Sequence, residues 1–306
     1  MKIVFFGTPE FAVPALQALV DSGYEVAGVF TQPDKPKNRG MKLLPTPVKE
    51  CACTHGIPVY QPRTLRDGEA LELLRRLEPD LIVVAAYGKI FPREILELPR
   101  LGCVNIHSSL LPKYRGAAPI NWAILNGEER TGVTLMYMAE GLDTGDMLAS
   151  AETEIDLAED AAQLHDRLAQ MGARLLTDTL PALENGTARA VPQDDAGSCY
   201  APMLSKELSP IDWSRTARQI HDQVRGLVPW PSAVTQLDGI RCKVLRTAIT
   251  GETSGKAPGS ILQADKRGLK VACGDGRVLE LLEVQPDGKK RMAASAFLAG
   301  HPIAVR

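Results

Sequence analysis

The chain has 306 residues, 44% hydrophobic and 24% charged, with a formal net charge of −2. This is an ordinary globular composition, long enough for about two domains. No run of 18 apolar residues exists, which excludes a helical membrane span by length, and the six scattered cysteines exclude a secreted disulfide framework.

The start, Met1–Gly7, is too short for a secretory signal and reads as a first buried strand over Lys2–Gly7. Pro9–Ser22 carries Phe11, Ala15, Leu16, Leu19 and Val20 at helical spacing, and Gly23 stops the helix. Glu25–Thr31 is the next strand, and Pro33–Leu44 a loop rich in Pro, Lys and Arg. A helix over Thr46–His55, a short strand at Pro58–Tyr60, a helix over Asp67–Leu77 and a buried strand over Asp80–Ala86 follow. Pro92–Leu98 reads as a short helix and Gly102–His107 as a fifth strand.

Strand and helix alternating in this way imply an α/β fold, a mostly parallel sheet with right-handed crossovers and helices on both faces. Gly132–Met138 and Asp146–Ile155 add strands, and Ala161–Leu183 is a long helix. The polar stretch Gly186–Pro202 marks the domain junction, giving domains of 1–188 and 206–306 with a linker over 189–205. After a helix at Trp213–Val228 come Ser232–Leu237, Arg241–Ile249, Gly259–Ala264, Leu269–Ala272 and Val278–Val284, short strands of a small β-barrel. Residues 203–306 hold 16 Lys/Arg against 10 Asp/Glu, whereas residues 1–202 hold 19 against 27. A basic tail on an acidic body suggests a polyanionic partner for the tail.

A doubly wound sheet binds ligands beyond the carboxyl ends of its strands. The first strand ends in Gly7-Thr8-Pro9-Glu10-Phe11, and neither G-x-G-x-x-G nor a P-loop occurs, so dinucleotide and nucleoside-triphosphate binding lose their main support. The fifth strand ends in Asn105-Ile106-His107, two polar side chains on one face of an apolar strand, before the loop Leu111–Gly116. Buried polar groups need partners, and here the functional reading outweighs simple capping. Asp143, between Gly141 and Gly145, supplies a carboxylate, although Asp in such a setting is also a common turn former and sequence distance alone does not place it beside His107. Cys51-Ala-Cys53 lacks the spacing and partners of a zinc site, and no metal is expected.

The segments NIHSSLLPKYRG, AAPINWAILNGE and GLDTGDM resemble the signature of the folate-dependent formyltransferases. The opening MKIVFFGTPEFAVPAL, the loop TQPDKPKNRGMKLLPTPVK and the segments SKELSPIDWS and GLVPWPSA resemble the branch acting on methionyl-tRNA. The resemblance covers essentially the whole chain. It implies a Rossmann-like sheet followed by an OB-like barrel, and formyl transfer from 10-formyltetrahydrofolate to the amine of initiator methionyl-tRNA in a cytoplasmic monomer.

By motif it makes Asn105, His107 and Asp143 the catalytic trio. Asn105 would donate to the developing oxyanion, with a protonated His107 joining it or shuttling a proton. Asp143 would orient His107 or act through a water. The folate would lie along Ser109, Leu110, Leu111 and Pro112 and along Ala86, Tyr87, Gly88 and Ile90. The loop with Lys35, Lys37, Arg39 and Lys42 would meet the tRNA, Arg39 and Lys42 foremost. Rival readings are a formyltransferase acting on a small amine such as a sugar nucleotide, a hydrolase of formyl-folate, and a non-catalytic RNA-binding protein.

Overall fold

The computed structural model describes residues 1–37, 42–303 and 305. In chain order the first elements are β1 (Lys2–Gly7), α1 (Val13–Asp21), β2 (Glu25–Phe30), β3 (Lys35–Lys37), β4 (Lys42–Leu44), α2 (Pro47–Thr54), β5 (Val59–Tyr60), α3 (Glu69–Leu77), β6 (Leu81–Ala85) and α4 (Arg93–Leu96). There follow β7 (Cys103–His107), β8 (Arg115–Gly116), α5 (Pro119–Leu125), β9 (Arg130–Tyr137), β10 (Met147–Glu154), α6 (Ala161–Glu184) and β11 (Tyr200–Ala201). The remaining elements are α7 (Ala217–Gly226), β12 (Ala233–Leu237), β13 (Ile240–Thr253), β14 (Ile261–Asp265), β15 (Gly268–Ala272), β16 (Arg277–Pro286), β17 (Met292–Ala293) and α8 (Ala294–Gly300). Contacts divide the chain into two compact units, residues 1–116, 131–153 and 165–200, and residues 117–130, 154–164 and 201–306.

The first unit is built on a seven-stranded sheet in the order β10-β9-β7-β6-β1-β2-β5. β1 and β6, the continuous apolar runs, are buried along nearly their whole length, as central strands covered on both faces must be. The pairs of β1 with β2 and β6, of β6 with β7 and of β2 with β5 are parallel, and β9 runs antiparallel to β7. The fold is therefore Rossmann-like. Successive strands build outward from β1 on one side and then on the other, so the order reverses between β1 and β6, and β7 ends beside that switch point. Phe6 stacks on Phe30 at 4.4 Å between centroids, with Tyr87 edge-on at 5.0 Å, at the centre of a buried cluster with Leu74, Phe91 and Ile95.

The expected loop Pro33–Leu44 contains a hairpin, β3 pairing antiparallel with β4. Its base is fastened by the buried contact of the Thr31 and Thr46 hydroxyls at 2.7 Å and by Lys49 Nζ on Asp34 at 2.6 Å.

In the second unit β12, β13, β16, β15 and β14 form an antiparallel sheet in that order, with β17 on β16. Its core joins Val224 of α7 to Val244, Leu269, Val271, Leu281 and Phe297. α7 starts at Ala217 and not at the expected Trp213, because Thr216 closes a capping box with Gln219 that fixes the first turn. α7 buries a charged group, Asp222 accepting from Arg225 Nε at 2.8 Å and Arg218 Nε at 2.7 Å. Among the described residues no helix is long and apolar enough to cross a membrane.

Candidate active site

The end of β7 carries the polar pair. Val104 and Ile106 face opposite ways from Asn105 and His107, which stand on one face about 6.7 Å apart by strand geometry. Cys103, at the start of the strand, is buried, which pushes its thiol to about 12 and keeps it protonated and unreactive. The Asn105 side chain is half-buried and its amide has no hydrogen-bond partner among the described residues.

His107 is 6% exposed and held at one nitrogen. Its Nε2 lies 2.9 Å from the carbonyl oxygen of Tyr114. A carbonyl accepts and cannot donate, so Nε2 carries a proton and Nδ1 is the atom free for chemistry. The loop after β7 is folded so as to deliver that carbonyl. Thr134, opposite His107 on β9, donates to Ser109 O at 2.7 Å and accepts from Leu111 N–H at 3.1 Å. Ser109 Oγ donates to Lys113 O at 2.7 Å, the Leu111–Pro112 peptide is cis, and Tyr114 has a left-handed φ of 61°.

Asp143 does converge on the imidazole. Its Oδ2 lies 3.7 Å from His107 Nδ1, beyond hydrogen-bond length but within ion-pair reach. The same oxygen accepts the Gly116 N–H at 2.8 Å. The turn holding Asp143 is tight: a Cβ on Gly145 would sit 1.9 Å from Tyr137 O, so only glycine fits there. Gln193 donates to the carbonyls of Asp143 and Gly145 at 2.9 and 2.7 Å. Sequence reasoning passed over Gln193, Thr134 and Tyr114. Register opposite His107 marks Thr134; nothing local marks the other two, which act through contacts made only on folding.

The stretch Ala86–Ile90 follows β6, at the switch point. Ala86 and Gly88 have φ of 47° and 81°. Ala86, Gly88 and Ile90 are exposed, while Tyr87 turns into the core against Phe6 and Phe91. Burial pushes the Tyr87 hydroxyl to about 12. Tyr87 and Ser109 are buried, and their carbonyl oxygens already accept from Gln32 Nε2 at 2.9 Å and from the Thr134 hydroxyl at 2.7 Å. Leu111 is also buried, whereas Leu110 and Pro112 are partly open. An open groove of about 670 Å³ beside this stretch is lined by Leu65, Leu71, Ile90, Phe91, Arg93 and Glu140. Its lining is mixed, with the exposed Ile90 and the apolar Leu65, Leu71 and Phe91 beside the charged Arg66, Arg93, Glu94 and Glu140. Lys42 pairs through its backbone with Lys37 in the hairpin; Arg39 lies outside the described residues.

Comparison with known proteins bears on this geometry. The formyl transferase family model matches residues 1–180, and its C-terminal domain model matches residues 203–302. A methionyl-tRNA formyltransferase of Trichlorobacter lovleyi is 54% identical over 304 residues, covering 99% of this chain and 95% of the relative. One from Clostridioides difficile is 52% identical, covering 99% and 98%. Among solved structures, an N-formyltransferase from Helicobacter canadensis, in complex with folinic acid and dTDP-3-aminofucose, superposes with a TM-score of 0.72 at 20% identity, covering 94% of this chain and 99% of that one. At that identity the likeness shows the fold alone.

Proposed function

Because the chain belongs to the formyl transferase family, we propose that it transfers a formyl group from 10-formyltetrahydrofolate to the free amine of initiator methionyl-tRNA, giving N-formylmethionyl-tRNA for translation initiation. The observation that carries this reading is the meeting of Asn105, His107 and Asp143 at the open end of β7. The full-length likeness to enzymes named methionyl-tRNA formyltransferase supplies the acceptor.

When bound, the folate supplies a formyl carbon attached to a nitrogen leaving group. Asn105, its amide unengaged among the described residues, donates to the formyl oxygen as negative charge grows there, an effect on the order of 10²–10³ in rate at comparable sites. His107 acts through Nδ1, since Nε2 is spent on Tyr114 O. Nδ1 takes the proton that the attacking amine must lose and returns it to the departing folate nitrogen, so the proton count balances. Asp143 stabilises the imidazolium formed between these two events. The 3.7 Å gap leaves it an electrostatic partner and not a hydrogen-bonded one.

Ile90, Leu110 and Pro112, with the backbones of Ala86, Tyr87, Gly88, Ser109 and Leu111, form the folate contacts in this reading. Arg39 and Lys42 meet the tRNA. Residues 1–188 form the catalytic domain and 206–306, as an OB-like barrel, the tRNA-binding one. Incubating the chain with formyl-folate and charged initiator tRNA should yield N-formylmethionine. Formate and free folate would make it a hydrolase, and formylation of an aminosugar nucleotide alone would move the acceptor to a small amine.

A further inference from the structure

We propose that Gln193 is a positioning residue, fixing the carboxylate of Asp143 through a closed ring of hydrogen bonds that runs by way of Arg115. The kinetic part of this inference rests on the function assigned above. The Gln193 amide is used at both ends. Nε2 gives its protons to the carbonyls of Asp143 and Gly145, at 2.9 and 2.7 Å. Oε1 accepts from Arg115 Nε at 3.1 Å and Nη2 at 2.9 Å. The next residue in the chain, Gly116, donates its N–H to Asp143 Oδ2 at 2.8 Å. The ring therefore passes from the Asp143 main chain to Gln193, to Arg115, along one peptide to Gly116, and back to the Asp143 carboxylate.

The ring answers a local difficulty. Asp143 sits at φ 53°, in the left-handed region that a non-glycine residue keeps only when its surroundings hold it there. Downstream, the turn is pinned where Gly145 abuts Tyr137 O. Gln193 bonds the two carbonyls that flank the turn, and Gly116 holds one carboxylate oxygen, so neither the backbone nor the side chain of Asp143 is free to swing from the imidazole. Only an amide serves at position 193. The Arg115 guanidinium demands an acceptor and the two carbonyls demand donors, a combination that Glu lacks. Arg115 also meets Asp195 at 2.7 Å, but the Asp195 side chain is 83% exposed. That contact is solvated and lies outside the ring.

Gln193→Glu keeps the acceptor toward Arg115 and sets carboxylate oxygen against two carbonyls. Its kcat should fall by about 10- to 100-fold, as small misplacements of catalytic groups do, with KM for tRNA and for folate within about twofold. In an Asp143→Ala background the same change should cost nothing more, because a group acting through Asp143 has nothing left to position. Asp195→Ala should match wild type. An unchanged kcat in Gln193→Glu, or a loss that adds in full to that of Asp143→Ala, overturns the proposal. A wild-type chain that formylates no tRNA sinks the function and leaves the ring to be read from crystal structures. There Asp143 Oδ2 should leave Gly116 N–H in Gln193→Glu, and its retention also overturns the proposal.

Discussion

A carbonyl oxygen has no proton to give, and from this the chemistry at His107 follows. With Nε2–H bound to Tyr114 O, the ring presents Nδ1 toward Asp143 in either protonation state. Replacing His107 by Ala removes the only imidazole on this face of β7 and should lower kcat by about 10²–10⁴. Asn105→Ala should lower it by about 10²–10³ through loss of the oxyanion donor. Asp143→Ala should fall between these limits, its charge lying 3.7 Å from Nδ1. Asn105→Ala and Asp143→Ala should keep the thermal melting of the wild type to within a few degrees, because Asn105 has no hydrogen-bond partner to lose among the described residues and the backbone of the Asp143 turn stays bound by Gln193, whereas His107→Ala, which strips the buried Tyr114 carbonyl of its donor, should melt lower. The check is formyl transfer to charged initiator tRNA alongside calorimetry. A near-wild-type rate in any one variant removes that residue from the mechanism.

At the scale of elements, β7 does two jobs at once. One face presents Asn105 and His107, and the other packs Ile106 against α6. The fit there is close: a Cβ on Gly172 of α6 would meet Ile106 Cγ2 at 2.6 Å. Gly172→Ala should therefore destabilise the chain by about 1–3 kcal/mol through overpacking, although alanine is the better helix former. Because the pushed atom lies between the two site residues, kcat should drop as well; denaturant melts and turnover on the same sample test both. Such relations divide what the sequence discloses from what it withholds. The continuous apolar runs of β1 and β6, too short for a buried helix and rich in Val, Ile and Phe, read as strands covered on both faces, and alternation alone puts Asn105 and His107 together. The hairpin β3–β4 is hidden because Lys35–Lys37 and Lys42–Leu44 lack both alternation and β-branched residues. The short α5 is hidden because seven residues carry too little periodicity to read. Asp143 is recognisable by its motif, yet its approach to His107 depends on Gly116 and Gln193, 27 residues before it and 50 after.

Over the whole molecule, charge governs two responses to the medium. In the second unit His221 is buried, its Nε2 on Leu157 O and its Nδ1 on the Thr247 hydroxyl, each at 2.8 Å. Burial, and then the nearby Arg225 and Arg218, lower its pKa against the opposing pull of the Leu157 carbonyl and Asp222. A histidine depressed on folding takes its proton more readily when unfolded. Stability is thus whole above the unfolded value of about 6.5 and is lost as pH falls below it. Melting between about pH 8 and 5 should show this decline, and His221→Gln, which cannot charge, should flatten it. The second response is to salt. Residues 203–306 carry 16 Lys/Arg against 10 Asp/Glu, and the sequence between residues 35 and 42 adds Lys35, Lys37, Arg39 and Lys42. If these cations meet phosphates, each contact releases counterions, and log KM for tRNA should rise with log salt by about 0.7–0.9 for every phosphate neutralised. Raising salt from about 50 to 200 mM should then raise KM for tRNA more than tenfold, while KM for the small folate stays nearly level. Arg39→Ala should reduce the slope by about one unit without altering folate binding. A tRNA KM indifferent to salt would mean that the basic carboxyl third does not carry the nucleic acid.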